Sequence, residues 1–401
     1  MIRIDEIYSI TFWPWLQRHR PCMRMFYFWP FGHSDRSSIC NYGGSDEFVN
    51  KHTSIVLTNQ HLIDNNYTLF FDQEPIDLDR HRASFDRVKY DLNPEISIVW
   101  EAHQYIRDSE WRSTNLIPPQ TGILVTSEKD SDTVDQVCKE YNWKKLYYFF
   151  HGWAALDWYR GYDCSYVMPA PENRVITKTF IMPNRIIAGQ RQHRLIMLYH
   201  IFKYNMQNNH ISCPSVCPAE NISIEDAVKD LFNKYSDIKE VFNTQQFPMA
   251  FNGESGAPMH SYQLSLFEEC AESLLYLVTE TVATGRRLHL TEKTFKPICL
   301  RMPFIIVGTC GSLKYLRSYG FKTFGHLWDE SYDDEIHDDQ RIEKIAFTLK
   351  AMDILPPDEK QRLFDMAQEI CEYNYNHFYN GDFENILKQE LDGMLNELAN
   401  F

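Results

Sequence analysis

Short apolar blocks separated by polar, helix-compatible stretches organise the chain from Ser54 onward. SIVLT (54–58), TLFFD (68–72), ISIVW (96–100), GILVT (122–126) and KLYYFFHGW (145–153) are rich in β-branched and aromatic residues and have strand length. Segments such as DSDTVDQVCKEYNW (130–143) lie between them. Uninterrupted apolar runs spaced by helices predict a buried parallel sheet. Residues 1–50 are rich in aromatics, Pro and Gly and show no clean period.

The pattern breaks after Asp163, where DCSYVMPAPENR is Pro-rich and reads as an interdomain connection. A second α/β unit opens with VITKTFIMPNR (175–185), turns through 186–190, and enters the helix QRQHRLIMLYHIFKYN (190–205). Leu195, Leu198, Tyr199 and Phe202 share one face of that helix. Residues 205–220 read as a loop, and Ser223 opens a helix through Lys234. Ser273–Gly320 reads strand, loop, helix, strand, helix, with Gly320 as terminator. An acidic loop-strand segment (321–339) follows, then two helices from Pro356 that separate near Asn380–Gly381. Leu387, Leu391, Leu395 and Leu398 stripe the last of them. The expected organisation is an α/β domain at 1–165, a second at 173–350, and helices at 356–401 that pack across both.

The 401 residues are 44% hydrophobic and 14% aromatic, enough for two packed cores. No stretch approaches the ~20 apolar residues of a membrane span, and no secretory pattern opens the chain. A cytoplasmic protein is expected. The net charge of -15 argues against a general nucleic-acid coat, though it leaves room for one basic groove. Ten scattered cysteines contain no C-x-x-C pair. Cys213 and Cys217, in CPSVCP with His210 nearby, read as reduced thiols rather than a zinc site.

Chemistry concentrates at two strand-to-helix corners in the second half. One holds Asn184, Arg185, Arg191, His193 and Arg194, a basic group in an acidic chain. The other is Thr291-Glu292-Lys293, where Thr291 caps a helix and Lys293 adds a cation beside a helix N-terminus. A Lys with free backbone donors suits phosphate, and a neighbouring carboxylate suits sugar hydroxyls. Solvated helix ends with salt bridges are the plainer alternative. Two such corners on neighbouring strands would converge on one crevice, where open α/β sheets bind ligands.

The run LHLTEKTFKPICLRMPFIIVG (288–308) resembles the α1,3-fucosyltransferase motif, a Tyr-Val-Thr-Glu-Lys followed by a helix and a strand ending in Gly. It is also similar to segments of exostosin-type transferases and of glycosyltransferase-like proteins of large tailed phages. His289 and Leu290 stand where the motif has Tyr and Val. The likeness covers about a third of the chain, mainly 175–205 and 270–325. It implies two facing Rossmann-like domains of GT-B type and transfer of a sugar from a nucleotide-diphosphate sugar to a hydroxyl acceptor. Glu292 would then hold the donor ribose and Lys293 the diphosphate, aided by Arg194, Arg185 and His193. TLFFDQEP (68–75) is similar to the segment supplying the base in inverting fucosyltransferases, which implies Glu74, or else Asp72, as base.

The resemblance implies no cofactor beyond the donor sugar and no essential metal. Asp77-Leu78-Asp79 fits a metal-binding string but lies in a charged turn. His151 and Asp157 stand near a possible acceptor pocket; Tyr332 and Asp333 stand in an acidic run that reads mostly as surface. A non-catalytic glycan- or protein-binding module, and a phage-type transferase acting on DNA bases, are the alternatives.

Overall fold

The computed structural model describes residues 23–28, 64–72, 121–160, 174–218, 221–251 and 264–399. The chain is an α/β protein whose described residues form two four-stranded parallel sheets, one in each of two compact units. The first unit comprises 1–157 with 384–401, and the second 158–383.

In the first unit, β1 (Met23–Phe28), β2 (Asp64–Asp72), β3 (Thr121–Thr126) and β4 (Lys144–Tyr147) lie side by side in chain order. Phe70 is in register with Phe26 on one side and Leu124 on the other. Helix α1 (Asp132–Tyr141) joins β3 to β4. Ser131 caps it by accepting from the Val134 N–H, and Asn142 closes it in the left-handed region.

The apolar run 145–153, expected as one strand, leaves the sheet after Tyr147 and becomes α2 (Phe150–Ala155), every residue of which is buried. A helix apolar on all sides carries no period that separates it from a buried strand. A π-helical turn, Leu156–Arg160, follows.

The second unit opens with β5 (Lys178–Met182) and α3 (His193–Lys203). Burial of α3 extends from His193 through Phe202, well beyond the single face predicted. The stretch expected as loop contains β6 (His210–Ile211) and β7 (Val216–Cys217), the latter paired with β8 (Ile222–Ser223). Helices α4 (Ile224–Lys229), shorter than predicted, α5 (Ile238–Asn243) and α6 (Phe267–Glu272) lead into β9 (Ser273–Thr279). Then come α7 (Glu292–Cys299), β10 (Phe304–Val307), α8 (Ser312–Ser318), α9 (Asp338–Asp353) and α10 (Pro357–Tyr379). Every residue of β9 and β10 is buried, which accounts for their continuous apolar runs.

The strand order is β10-β9-β5-β6. From β5 the chain steps through α3 to β6, whereas from β9 it steps through α7 to β10 in the opposite direction. Right-handed crossovers put those two helices on opposite faces. Accordingly α9 packs on α3, and α10 packs on α7. Between β5 and β9 the order reverses, and it is beyond the strand carboxyl ends at such a reversal that open parallel sheets take ligands.

The acidic segment 321–339 forms a 3-10 turn at Ser331–Asp334 and no strand. Its carboxylates satisfy local backbone: Glu330 accepts from the Phe324 N–H and Thr323 hydroxyl, and buried Asp333 accepts from the N–H groups of Leu313 and Lys314. The last helix, α11 (Asp382–Ala399), returns the chain to the first unit from Glu384 on. There Leu387, Leu391 and Leu395 are buried, and Glu390 accepts from the Phe149 N–H at 2.8 Å.

Candidate functional site at the β5–β9 switch point

Asn184, just past β5, ties the two strand ends together. Its Oδ1 accepts from the Thr279 hydroxyl at 2.8 Å, and its backbone N–H donates to Ser212 Oγ at 3.0 Å. Its buried Nδ2 has no partner among the described residues.

On one side of this junction stands the start of α3. His193 Nε2 donates to the Glu280 carbonyl at 3.0 Å, and burial, with Arg194 adjacent, pushes its pKa down to about 3. The ring is therefore neutral near pH 7. The Arg194 guanidinium is also buried and donates to the carbonyls of Ile186, Thr279 and Glu280 at 2.8, 2.9 and 3.1 Å. Burial and then the Arg191 charge pull its pKa down to about 9, which leaves it cationic. A guanidinium bonded to three carbonyls holds the β9 terminus in place; it presents no second fork to a ligand. Arg185, in the loop after β5, is half-buried beside Cys217, and burial lowers its pKa.

Helix α7 begins on the other side. Thr291 is its N-cap, as the sequence predicts, and accepts from the Lys293 N–H at 3.4 Å. Lys293 Nζ donates to Glu292 at 2.8 Å, to Thr291 Oγ1 at 3.2 Å and to Thr281 Oγ1 at 3.4 Å. The Glu292 side chain is buried, whereas that of Lys293 keeps 31% of its surface exposed, so the cation faces the open side of the pair. Behind them Phe295 stacks on Phe383 with ring centres 5.3 Å apart and meets Phe321 edge-on, anchoring the helix in the core.

The two corners meet at Glu280, which is completely buried. Its Oε1 accepts from the Thr291 N–H (3.1 Å) and the Thr294 hydroxyl (2.6 Å); its Oε2 accepts from the Thr291 hydroxyl (2.6 Å) and the Thr281 N–H (3.2 Å). Sequence inspection passed over this residue. The signal was present in SLLYLVTE, where a carboxylate directly ends a wholly apolar strand. Buried Arg341 was missed as well. It donates to the carbonyls of Gly308, Ala283 and Glu335 and to Asp338, which accepts from the Gly285 N–H. These bonds fix the loop between β9 and α7, whose exposed tip is Thr284–Arg286.

Of the residues singled out from sequence, the second unit thus brings His193, Arg194, Glu292 and Lys293 around the end of β9, with Arg185 in the adjoining loop. Glu74, Asp77 and Asp79 lie outside the described residues. Asp72 ends β2 in register with Phe28 and Thr126. His151 is buried in α2 with its ring edge-on to Phe150, Asp157 lies in the π-helical turn, and Tyr332 is buried. Cys213 and Cys217 are buried free thiols. Among the described residues no group of three His, Cys, Asp or Glu side chains could hold a metal ion. Nor, among them, is any helix long and apolar enough to cross a membrane.

No family model matches the chain, and no curated protein matches it. Among solved structures it is similar to the DNA-modifying enzyme β-glucosyltransferase, determined with and without uridine diphosphoglucose. The identity is 9%, the match covers 84% of this chain and 79% of that one, and the TM-score is 0.39. Likeness at that score fixes neither fold nor activity.

Proposed function

We propose that the chain is a glycosyltransferase of GT-B type that takes a hexosyl or fucosyl group from a nucleotide-diphosphate sugar and gives it to a hydroxyl acceptor. The observation that carries this reading is the convergence of both basic corners on the carboxyl ends of β5 and β9, where the Glu280 carbonyl bonds the α3 corner and the Glu280 carboxylate bonds the α7 corner. Crevices at such reversals of strand order are where open parallel sheets take nucleotides.

In this reading the diphosphate lies against the α7 N-terminus. Lys293, with Arg185 from the β5 loop, meets the negative charge that grows as the bond from anomeric carbon to phosphate oxygen breaks. Those cations take the part that a divalent ion plays in metal-dependent transferases. Glu292 accepts from ribose hydroxyls. Arg194 and neutral His193 hold the strand end that both corners share, a positioning role in place of direct contact. The acceptor oxygen attacks the anomeric carbon while Glu74, or else Asp72, removes its proton.

Calorimetry and thermal shift with uridine and guanosine diphosphates test the donor site. One of them should bind and raise the melting temperature. Lys293→Ala should weaken that binding about tenfold to a hundredfold, as expected for a lost charge-assisted hydrogen bond. Absence of binding by both, or an affinity indifferent to Lys293, would refute the proposal. Tight binding with neither transfer nor donor hydrolysis would identify a non-catalytic binding module instead.

A further inference from the structure

Glu280 is inaccessible to solvent, and its bonds reach both elements that flank the switch point, the α7 N-terminus through the carboxylate and the α3 N-terminus through the carbonyl. We infer that Glu280 is a positioning residue that locks the α7 N-terminus and the α3 N-terminus into a single arrangement competent to bind the diphosphate. The inference rests on the donor-site reading above and adds a residue to it.

Its chemistry is specific. Each carboxylate oxygen takes one backbone N–H and one hydroxyl: Oε1 takes Thr291 N–H and Thr294 Oγ1, and Oε2 takes Thr281 N–H and Thr291 Oγ1. A threonine hydroxyl can turn from donor to acceptor, but a backbone N–H cannot. A glutamine at 280 would therefore aim its NH2 at an N–H whichever way the amide lay. Only an acceptor-only side chain of this length serves both oxygens. The same residue's carbonyl accepts from His193 and Arg194 at the start of α3. Its side chain thus grips α7 while its main chain grips α3, and Lys293 reaches Thr281 and Thr291, two of its partners.

The test compares wild type with Glu280→Gln, and with Thr294→Val and Thr294→Ser as a milder pair should the first fail to fold. Thr294→Val removes one of the four donors, and Thr294→Ser restores its hydroxyl. Hydrogen exchange read over 288–297 and 186–196 should speed up about tenfold in both segments in Glu280→Gln, as for the loss of one buried hydrogen bond, while α10 keeps its protection. Thr294→Val should do the same more weakly, and Thr294→Ser should revert it. Affinity for whichever of uridine or guanosine diphosphate binds should fall in parallel, although Lys293 and Arg185 are intact. Faster exchange in 288–297 with 186–196 unchanged would overturn the inference, since Glu280 would then serve its own helix alone. Unaltered nucleotide affinity in a folded Glu280→Gln would overturn it too. If wild type binds neither nucleotide, the donor-site reading fails, and the exchange comparison still decides whether Glu280 couples the two corners.

Discussion

Arg194 and His193 show how burial changes what a charged residue can do. The basic string before α3 suggests a phosphate grip, yet the Arg194 guanidinium donates to three main-chain carbonyls. Lysine has one point charge where Arg194 has a planar fork. Arg194→Lys should therefore cost about 2–4 kcal/mol, because two or more buried carbonyls lose their donors. Urea denaturation followed by far-ultraviolet dichroism measures this, and a change under about 0.5 kcal/mol, the usual range for surface sites, would contradict the assigned contacts. His193 and His200 have pKa values pushed by burial to about 3 and about 4, below the usual 6.5. The unfolded chain binds their protons first, so stability should fall as pH drops below about 6.5 and keep falling toward pH 3–4, by at most ~1.4 kcal/mol per pH unit for each group. His200→Phe should flatten that profile between pH 6 and 4; an unchanged slope would mean that the ring is solvated.

Helices and strands were legible wherever their period or caps were strong. Thr291 before α7 is a readable N-cap and the structure places it there, whereas the Ser131 cap of α1, in a segment read only as helix-compatible, is a finding of the structure. Thr291→Ala should destabilise by more than the ~1 kcal/mol of an ordinary cap, because the hydroxyl also donates to buried Glu280. Thr291→Ser should recover most of the loss, as thermal melts of the three proteins will show. The run 145–153 was misread because α2 is buried on every side and carries no amphipathic signature. Helix α9 went unpredicted behind the acidic segment 321–339, whose carboxylates looked solvated but include Asp333, which satisfies the first turn of α8. Composition cannot report such a partner, since it is made only when the chain folds.

At the scale of the molecule, the chain enters the second unit at 158 and leaves it at 383, so the final helix completes the first. Buried Leu387, Leu391 and Leu395, with the Glu390–Phe149 bond, tie it there. Leu391→Ala should cost about 2–5 kcal/mol of stability, as for other large-to-small core changes. The loss should be read in hydrogen exchange of β3, β4 and α2, while β9 and β10 keep their protection. Equal loosening of both sheets would show that the two units unfold together.

The amino-acid sequence by itself determined the α/β class, the presence of a parallel sheet in each half, the cap of α7, and the clustering of cations at two strand ends. Those features are local: they follow from apolar run length, side-chain capping and residue order. Tertiary structure alone decided that the strand order reverses between β5 and β9, that Arg194 faces carbonyls, and that Glu280 links two helices. Each depends on groups between about 10 and 90 residues apart in the chain, whose meeting is set by crossover handedness and by the need to satisfy every buried polar atom.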